Sequence, residues 1–142
     1  MKSPTTPASV ALALALTPLA APLLARSCPP AALLIRSFFS AVCHQNPVRS
    51  FTIQGSSVAV CIRCLGIYCG AALGMLPDVD KPGAVRWLGV AMLLNLLDVS
   101  SEMLHWHGNL PAPRFLLGLL LGLCAGAVLQ PVAGRVLSPS AR

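Results

Sequence analysis

Four residues of this chain have the types and spacing of a metal-binding or redox centre. Cys43 and His44 are adjacent, and after sixteen intervening residues Cys61 and Cys64 form a C-x-x-C. Thiolate is the form of cysteine that binds soft metal ions, and it is also the form that attacks disulfides. At the start of a helix, both sulfurs of a C-x-x-C can face one point. Free backbone N–H groups and the helix dipole there favour thiolate. With one cysteine and one histidine brought in across a loop, a tetrahedral Cys43, His44, Cys61, Cys64 site for zinc or iron is chemically sensible. Adjacent side chains strain to reach one ion, so a three-ligand site with an open position is the second arrangement. The redox alternative is a membrane thiol–disulfide oxidoreductase using Cys61 and Cys64. The plainest alternative is that the cysteines pack as small apolar residues beside an interfacial histidine. Cys28, Cys69 and Cys124, taken singly, read as packing residues.

A second polar group lies in LLNLLDVSSEMLHW. Asn95, Asp98, Glu102 and His105 are spaced by three, four and three residues, so a helix carries them on one face, with Ser101 at its border. An Asp at the centre of a bilayer costs about 2.5–3.5 kcal/mol on an insertion scale, so this face must turn into a bundle and find partners. It can serve a cation or proton path, as in a small-solute or ion transporter. Alternatively, Asp98 or His105 can complete the metal site, or the acids can pair with an arginine such as Arg63 or Arg114.

The elements that position these residues follow from composition. Of 142 residues, 56% are hydrophobic and only 10% charged, against about 25% charged in soluble domains. So few charges cannot coat a globule, and the mean hydropathy of +0.76 agrees with an integral membrane protein. The formal charge of +6 comes from basic residues scattered singly between apolar runs. That pattern reads as membrane-flanking anchors and gives no basic face for nucleic acid. Motifs for nucleotide binding, serine-type hydrolysis or glycoside chemistry are missing from the sequence.

Spans are expected at about 10–25, 58–77, 87–106 and 115–134, each near the roughly 20 residues needed to cross the hydrocarbon core. The first reads as a retained helix rather than a secretory segment, because Arg26 disrupts a cleavage site before Cys28. Pro18 and Pro22 shorten or kink it. Residues 31–42 place Leu34, Phe38 and Val42 in one stripe, too short to span, which fits an interfacial helix leading into Cys43. FTIQGSSVAV then reads as a hairpin or tight loop around Gly55-Ser56-Ser57, returning the chain to Cys61. Loops on alternate sides divide the basic residues evenly. Lys2, Lys81, Arg86, Arg135 and Arg142 fall on one side, and Arg26, Arg36, Arg49, Arg63 and Arg114 on the other, so charge asymmetry sets no orientation.

The second span carries Gly66, Gly70 and Gly74, and the fourth carries Gly118, Gly122 and Gly126. Each set is a double G-x-x-x-G that clears one helix face of side chains. Lipid gives no hydrophobic drive for helix association, so close backbone approach must supply it. Both faces are therefore expected to be helix–helix contacts.

CHQ at 43–45, RSF at 49–51, Gly55 and CIRCLGIYCG at 61–70 resemble a prokaryotic family of small multi-pass membrane proteins, domain of unknown function 2085. The resemblance covers about residues 40–125, with Asp98, Asn109, Arg114 and Gly118 similar to the later part of the pattern. Leu65 stands where the family pattern often has a threonine or other small residue, and Cys69 fills a variable slot. The resemblance implies a fold and a site, with Arg49, Arg63 and Arg114 in support, and names no reaction. A weaker resemblance, to four-helix quinone-coupled disulfide-forming proteins, rests on the C-x-x-C at the start of a span. The sequence thus predicts a single all-α membrane domain. It is a bundle of about four transmembrane helices with a short interfacial helix and a Cys/His loop before the second span. Multi-pass insertion in the cell membrane, with the lipid bilayer as partner, is expected. A homo-oligomer is compatible with the sequence, and no soluble partner is implied.

Overall fold

Long apolar runs bounded by proline, glycine and single arginines form five helices, and a computed structural model describes residues 6–76, 83–104 and 110–137 of the chain. They are α1 (Thr6–Ser27), α2 (Pro29–Ser40), α3 (Ile62–Gly74), α4 (Ala84–Met103) and α5 (Pro111–Leu137). A short antiparallel hairpin, β1 (Thr52–Ile53) with β2 (Ser56–Ser57), stands between α2 and α3. The protein is nearly all α-helical, as a helical membrane protein should be. Among the described residues, three segments are long and apolar enough to cross a membrane by length and composition: Ala8–Ser27, Ala84–Met103 and Pro111–Pro131.

The hairpin turn sits one residue earlier than the serines suggest. Gln54 and Gly55 both take positive φ, 52° and 81°, as a two-residue type I′ turn requires. Ser56 and Ser57 belong to the return strand, opposite Ile53 and Thr52.

α3 is shorter than the stretch 58–77 read as a span. Its 13 residues rise about 20 Å, roughly two-thirds of a hydrocarbon core. The reason lies in its approach. The N–H of Val58 donates to Phe51 O at 2.8 Å, and that of Ala59 to Pro18 O at 3.3 Å. The N–H of Cys61 donates to Cys43 Sγ at 3.2 Å. Distant acceptors hold these donors in extended chain, and the helix begins only at Ile62. The Pro18 carbonyl is free to accept because its helical partner would be residue 22, a proline without an N–H. Pro18 and Pro22 are both fully buried. The two prolines expected to kink α1 therefore provide a docking point for the segment ahead of α3.

The glycine stripes meet each other. A Cβ on Gly66, Gly70 or Gly74 would fall against the carbonyl oxygens of Phe115, Leu119 and Leu123 respectively. One on Gly118, Gly122 or Gly126 would meet those of Arg63, Ile67 and Ala71. Both stripes are helix–helix contacts, as their spacing predicts, and they interlock as a parallel α3–α5 pair. α4 runs antiparallel along α5. Asn95 fastens it there, donating from Nδ2 to Leu117 O at 3.0 Å and to Ala91 O of its own helix at 2.9 Å. The N-terminal ends of α3 and α5 and the C-terminal end of α4 thus lie at one end of the bundle.

At that end a small core of Ala21, Phe39, Cys43, Val58, Ala59, Val60 and Leu65 closes around the chain entering α3. The Phe39 ring meets Tyr68 edge-on at 5.6 Å. On the outer side of α2, the stripe Leu34, Phe38, Val42 and the neighbouring Leu33 are exposed, the arrangement of a helix whose apolar face meets lipid.

Candidate metal centre

The C-x-x-C sits where a helix start can use it. Cys61 is the residue immediately before α3, in extended conformation, and Cys64 is in its first turn. Cys43 arrives from the end of α2, where its N–H donates to Phe39 O at 2.9 Å. The ligand-capable sulfurs of Cys43, Cys61 and Cys64 all lie within 4.8 Å of one another. A zinc–thiolate bond of about 2.3 Å implies a sulfur–sulfur edge of about 3.8 Å in a tetrahedral site, so a small contraction of this trio encloses an ion. Cys43 is buried, and Cys61 and Cys64 are half-buried.

The local electrostatics favour one negative sulfur, that of Cys61. Cys43 Sγ accepts the Cys61 N–H, which ties the two cysteines together. The Cys61 thiol is held well below the usual thiol range. The largest cause is a hydrogen bond from the Cys64 side chain; the backbone N–H groups of Cys64 and Arg63 and the Cys43 thiol add to it, while burial opposes it. A crowded set of three thiols thus keeps one of its members charged.

His44 does not join the sulfurs. It is exposed, and the group gathered among the described residues is Cys43, Cys61 and Cys64 alone. Adjacent side chains diverge, and only Cys43 turns inward. The sequence also missed the props of the loop. Arg36 on α2 donates to the carbonyl of Ser57 and, at 3.4 Å, to its hydroxyl. Gln45 Nε2 donates to Arg36 O at 2.6 Å, from a backbone with φ of 50°. Gln45, Arg36 and Ser57 therefore connect both limbs of the loop. Gln45 stood in the CHQ motif, where only its neighbours have ligand chemistry. Of the other cysteines, Cys28 is exposed, Cys69 half-buried and Cys124 buried, and all three lie outside the trio.

The acidic stripe turns to arginines. Arg63, between the two cysteines of the C-x-x-C, points away from the sulfurs and pairs with Asp98. Arg114 lies 2.9 Å from Glu102 and, through Nε, 3.9 Å from Asp98. Arg49, from the turn just after the Cys43 segment, reaches Glu102 at 2.7 Å. Of the partners weighed for Asp98 and Glu102, the structure brings the arginines, and Asp98 stands outside the sulfur group. His105 lies outside the described residues. The Arg114 side chain is only 4% exposed, which makes the network an interior feature joining α3, α4, α5 and the cysteine loop.

The model of a family described as predicted membrane protein (DUF2085) matches residues 43–128. That match starts at Cys43 and takes in the trio, both glycine stripes and the charge network. The chain belongs to this family. It is similar to an uncharacterized protein of Methanocaldococcus jannaschii, 29% identical over 107 residues, covering 70% of this chain and 69% of that one. It is also similar to an uncharacterized protein of Methanothermobacter thermautotrophicus, 32% identical over 92 residues, covering 60% and 81%. No solved structure matches the chain. Membership of this DUF2085 family and the three apolar helices together support a membrane location.

Proposed function

We propose that this chain is a multi-pass protein of the cell membrane that binds one soft or borderline metal ion, zinc first and iron second, through Cys43, Cys61 and Cys64. The observation that carries this reading is the convergence of three sulfurs within 4.8 Å from two segments eighteen residues apart. Packing alone needs no such convergence, and thiolate sulfur suits these ions. Detergent-purified protein should carry about one ion per chain, and Cys61→Ser or Cys64→Ser should remove it. Wild-type protein that stays metal-free after growth with zinc and iron would end the proposal.

A thiol–disulfide reading is favoured by one observation, the lowered Cys61 thiol beside Cys64. In that reaction two thiols lose two protons and two electrons to a quinone-class acceptor and form one S–S bond. Thiol trapping separates the two readings. A metal site keeps all three thiols reduced and shielded, whereas a redox pair appears oxidised in part of the population. The transporter reading loses support, because arginines occupy both carboxylates.

A further inference from the structure

We infer that an ion on this trio keeps its fourth coordination position open to a small exogenous donor, with water there at rest and a nitrogen or sulfur donor able to replace it. This rests on the metal reading above. Structural zinc sites are closed by four protein ligands, whereas sites that react or exchange keep three and leave one position free.

Three features of the structure point to the second kind. Among the described residues, the gathered metal-capable side chains are three in number, Cys43, Cys61 and Cys64. The neighbouring His44 is exposed and outside the group. The wall behind Cys43 is Ala21, Phe39, Val58, Val60 and Leu65, none of which has a donor atom in its side chain, with the part-buried Tyr68 and Cys69 packed against it. Cys69 stands outside the trio, and a phenol is not among the thiolate, imidazole and carboxylate ligands of such sites. The opposite side is not sealed, since Cys61 and Cys64 are each partly exposed while Cys43 is 6% exposed. A small molecule therefore has a route to the ion past two of its ligands. Asp98, the nearest acid by sequence motif, is held by Arg63 and supplies no oxygen.

Cobalt(II) makes the open position visible, because its thiolate charge-transfer bands report bound sulfur and its ligand-field bands report the remaining donor. The full-length protein in detergent is loaded with one equivalent of cobalt and titrated with imidazole, and separately with azide. The expected result is a saturable shift of the ligand-field bands, with charge-transfer intensity and cobalt stoichiometry unchanged. The same shift is expected in a chain carrying His44→Ala, His105→Ala and His107→Ala. Ligand-field bands that imidazole and azide leave unmoved overturn the inference while the metal reading stands. Loss of cobalt binding or of the resting spectrum in the histidine-free chain also overturns it, by identifying a fourth protein ligand. If that variant does not fold, the wild-type titration alone decides. Failure of the wild type to bind cobalt removes both readings.

Discussion

The backbone N–H of Cys61 donates to the Sγ of Cys43 at 3.2 Å across a separation of eighteen residues. This one contact ends the extended approach to α3, fixes Cys43 beside the C-x-x-C and gives its sulfur a backbone donor. It makes Cys43, rather than the adjacent histidine, the partner of Cys61 and Cys64.

Cys43→Ser should therefore be more damaging than its position in a loop suggests. Oxygen is a poorer ligand than sulfur for a soft ion and sits on a shorter bond, so both the ion and the Cys61 N–H lose reach. Loss of a direct ligand should exceed the 10–100-fold that loss of a supporting residue costs, so zinc affinity should fall on the order of 100-fold or more. Cys69→Ser and Cys124→Ser should leave affinity within a few-fold of wild type. Competition with a chromogenic chelator measures all three, and equal affinities for Cys43→Ser and Cys69→Ser would refute the assignment.

Gly70→Ala should loosen the α3–α5 pair. The added Cβ meets the Leu119 carbonyl and lies 2.7 Å from the Leu123 nitrogen. Both are backbone atoms and cannot rotate aside. Overpacking of this kind costs about 1–3 kcal/mol. Gly89 on α4 is the internal control, since a Cβ there meets nothing within 4 Å. Thermal unfolding in detergent should show a lower midpoint for Gly70→Ala and none of that loss for Gly89→Ala. Similar midpoints for the two variants would mean that the stripes do not hold the helices together.

The glycine stripes, the acidic face and the C-x-x-C were legible because each is a short-range pattern that one helix expresses by itself. What each pattern meets was less legible. Spacing shows that Gly66, Gly70 and Gly74 clear one face, but only packing shows the opposing helix to be α5. The start of α3 was unreadable for the same reason. Val58, Ala59 and Cys61 give their N–H groups to Phe51, Pro18 and Cys43, and two of those acceptors lie far away in sequence. Pro22 offered a clue, since a buried proline in a helix leaves a carbonyl four residues back in need of a donor. His44 was misplaced because ligand chemistry was read from residue type, while the backbone turns only one of two neighbours inward.

The charge network predicts an unequal response to removing its members. Arg63 and Asp98 have side chains 21% and 10% exposed; deleting Asp98 strips Arg63 of its carboxylate, whereas deleting Arg63 leaves Asp98 with Arg114, 3.9 Å away. Asp98→Leu should cost about 3–5 kcal/mol, Arg63→Met less, and the two together should recover much of the Asp98→Leu loss. The Arg49 side chain is 48% exposed, and Arg49→Ala should cost no more than about 1 kcal/mol. Unfolding in graded mixtures of SDS and mild detergent ranks these variants. A double variant as unstable as the sum of its parents would show that the two side chains do not act as a pair.

Arg36 tests whether the loop is held from outside the sulfur trio. Its guanidinium donates to the carbonyl and hydroxyl of Ser57, and its own carbonyl accepts from Gln45. It thereby links the strand entering α3 to the segment carrying Cys43. It touches no sulfur, so its removal should leave the ligand set intact and loosen the geometry. Arg36→Met keeps most of the side-chain bulk while deleting the donors. Zinc affinity should drop about 10–100-fold, as it does when residues supporting metal ligands are lost. The cobalt–thiolate bands of the saturated variant should match wild type, because the same three sulfurs bind. Wild-type affinity in Arg36→Met would mean that the trio holds its own shape. Weakened charge-transfer bands at saturation would mean that Arg36 governs which sulfurs bind, and not how firmly they are held.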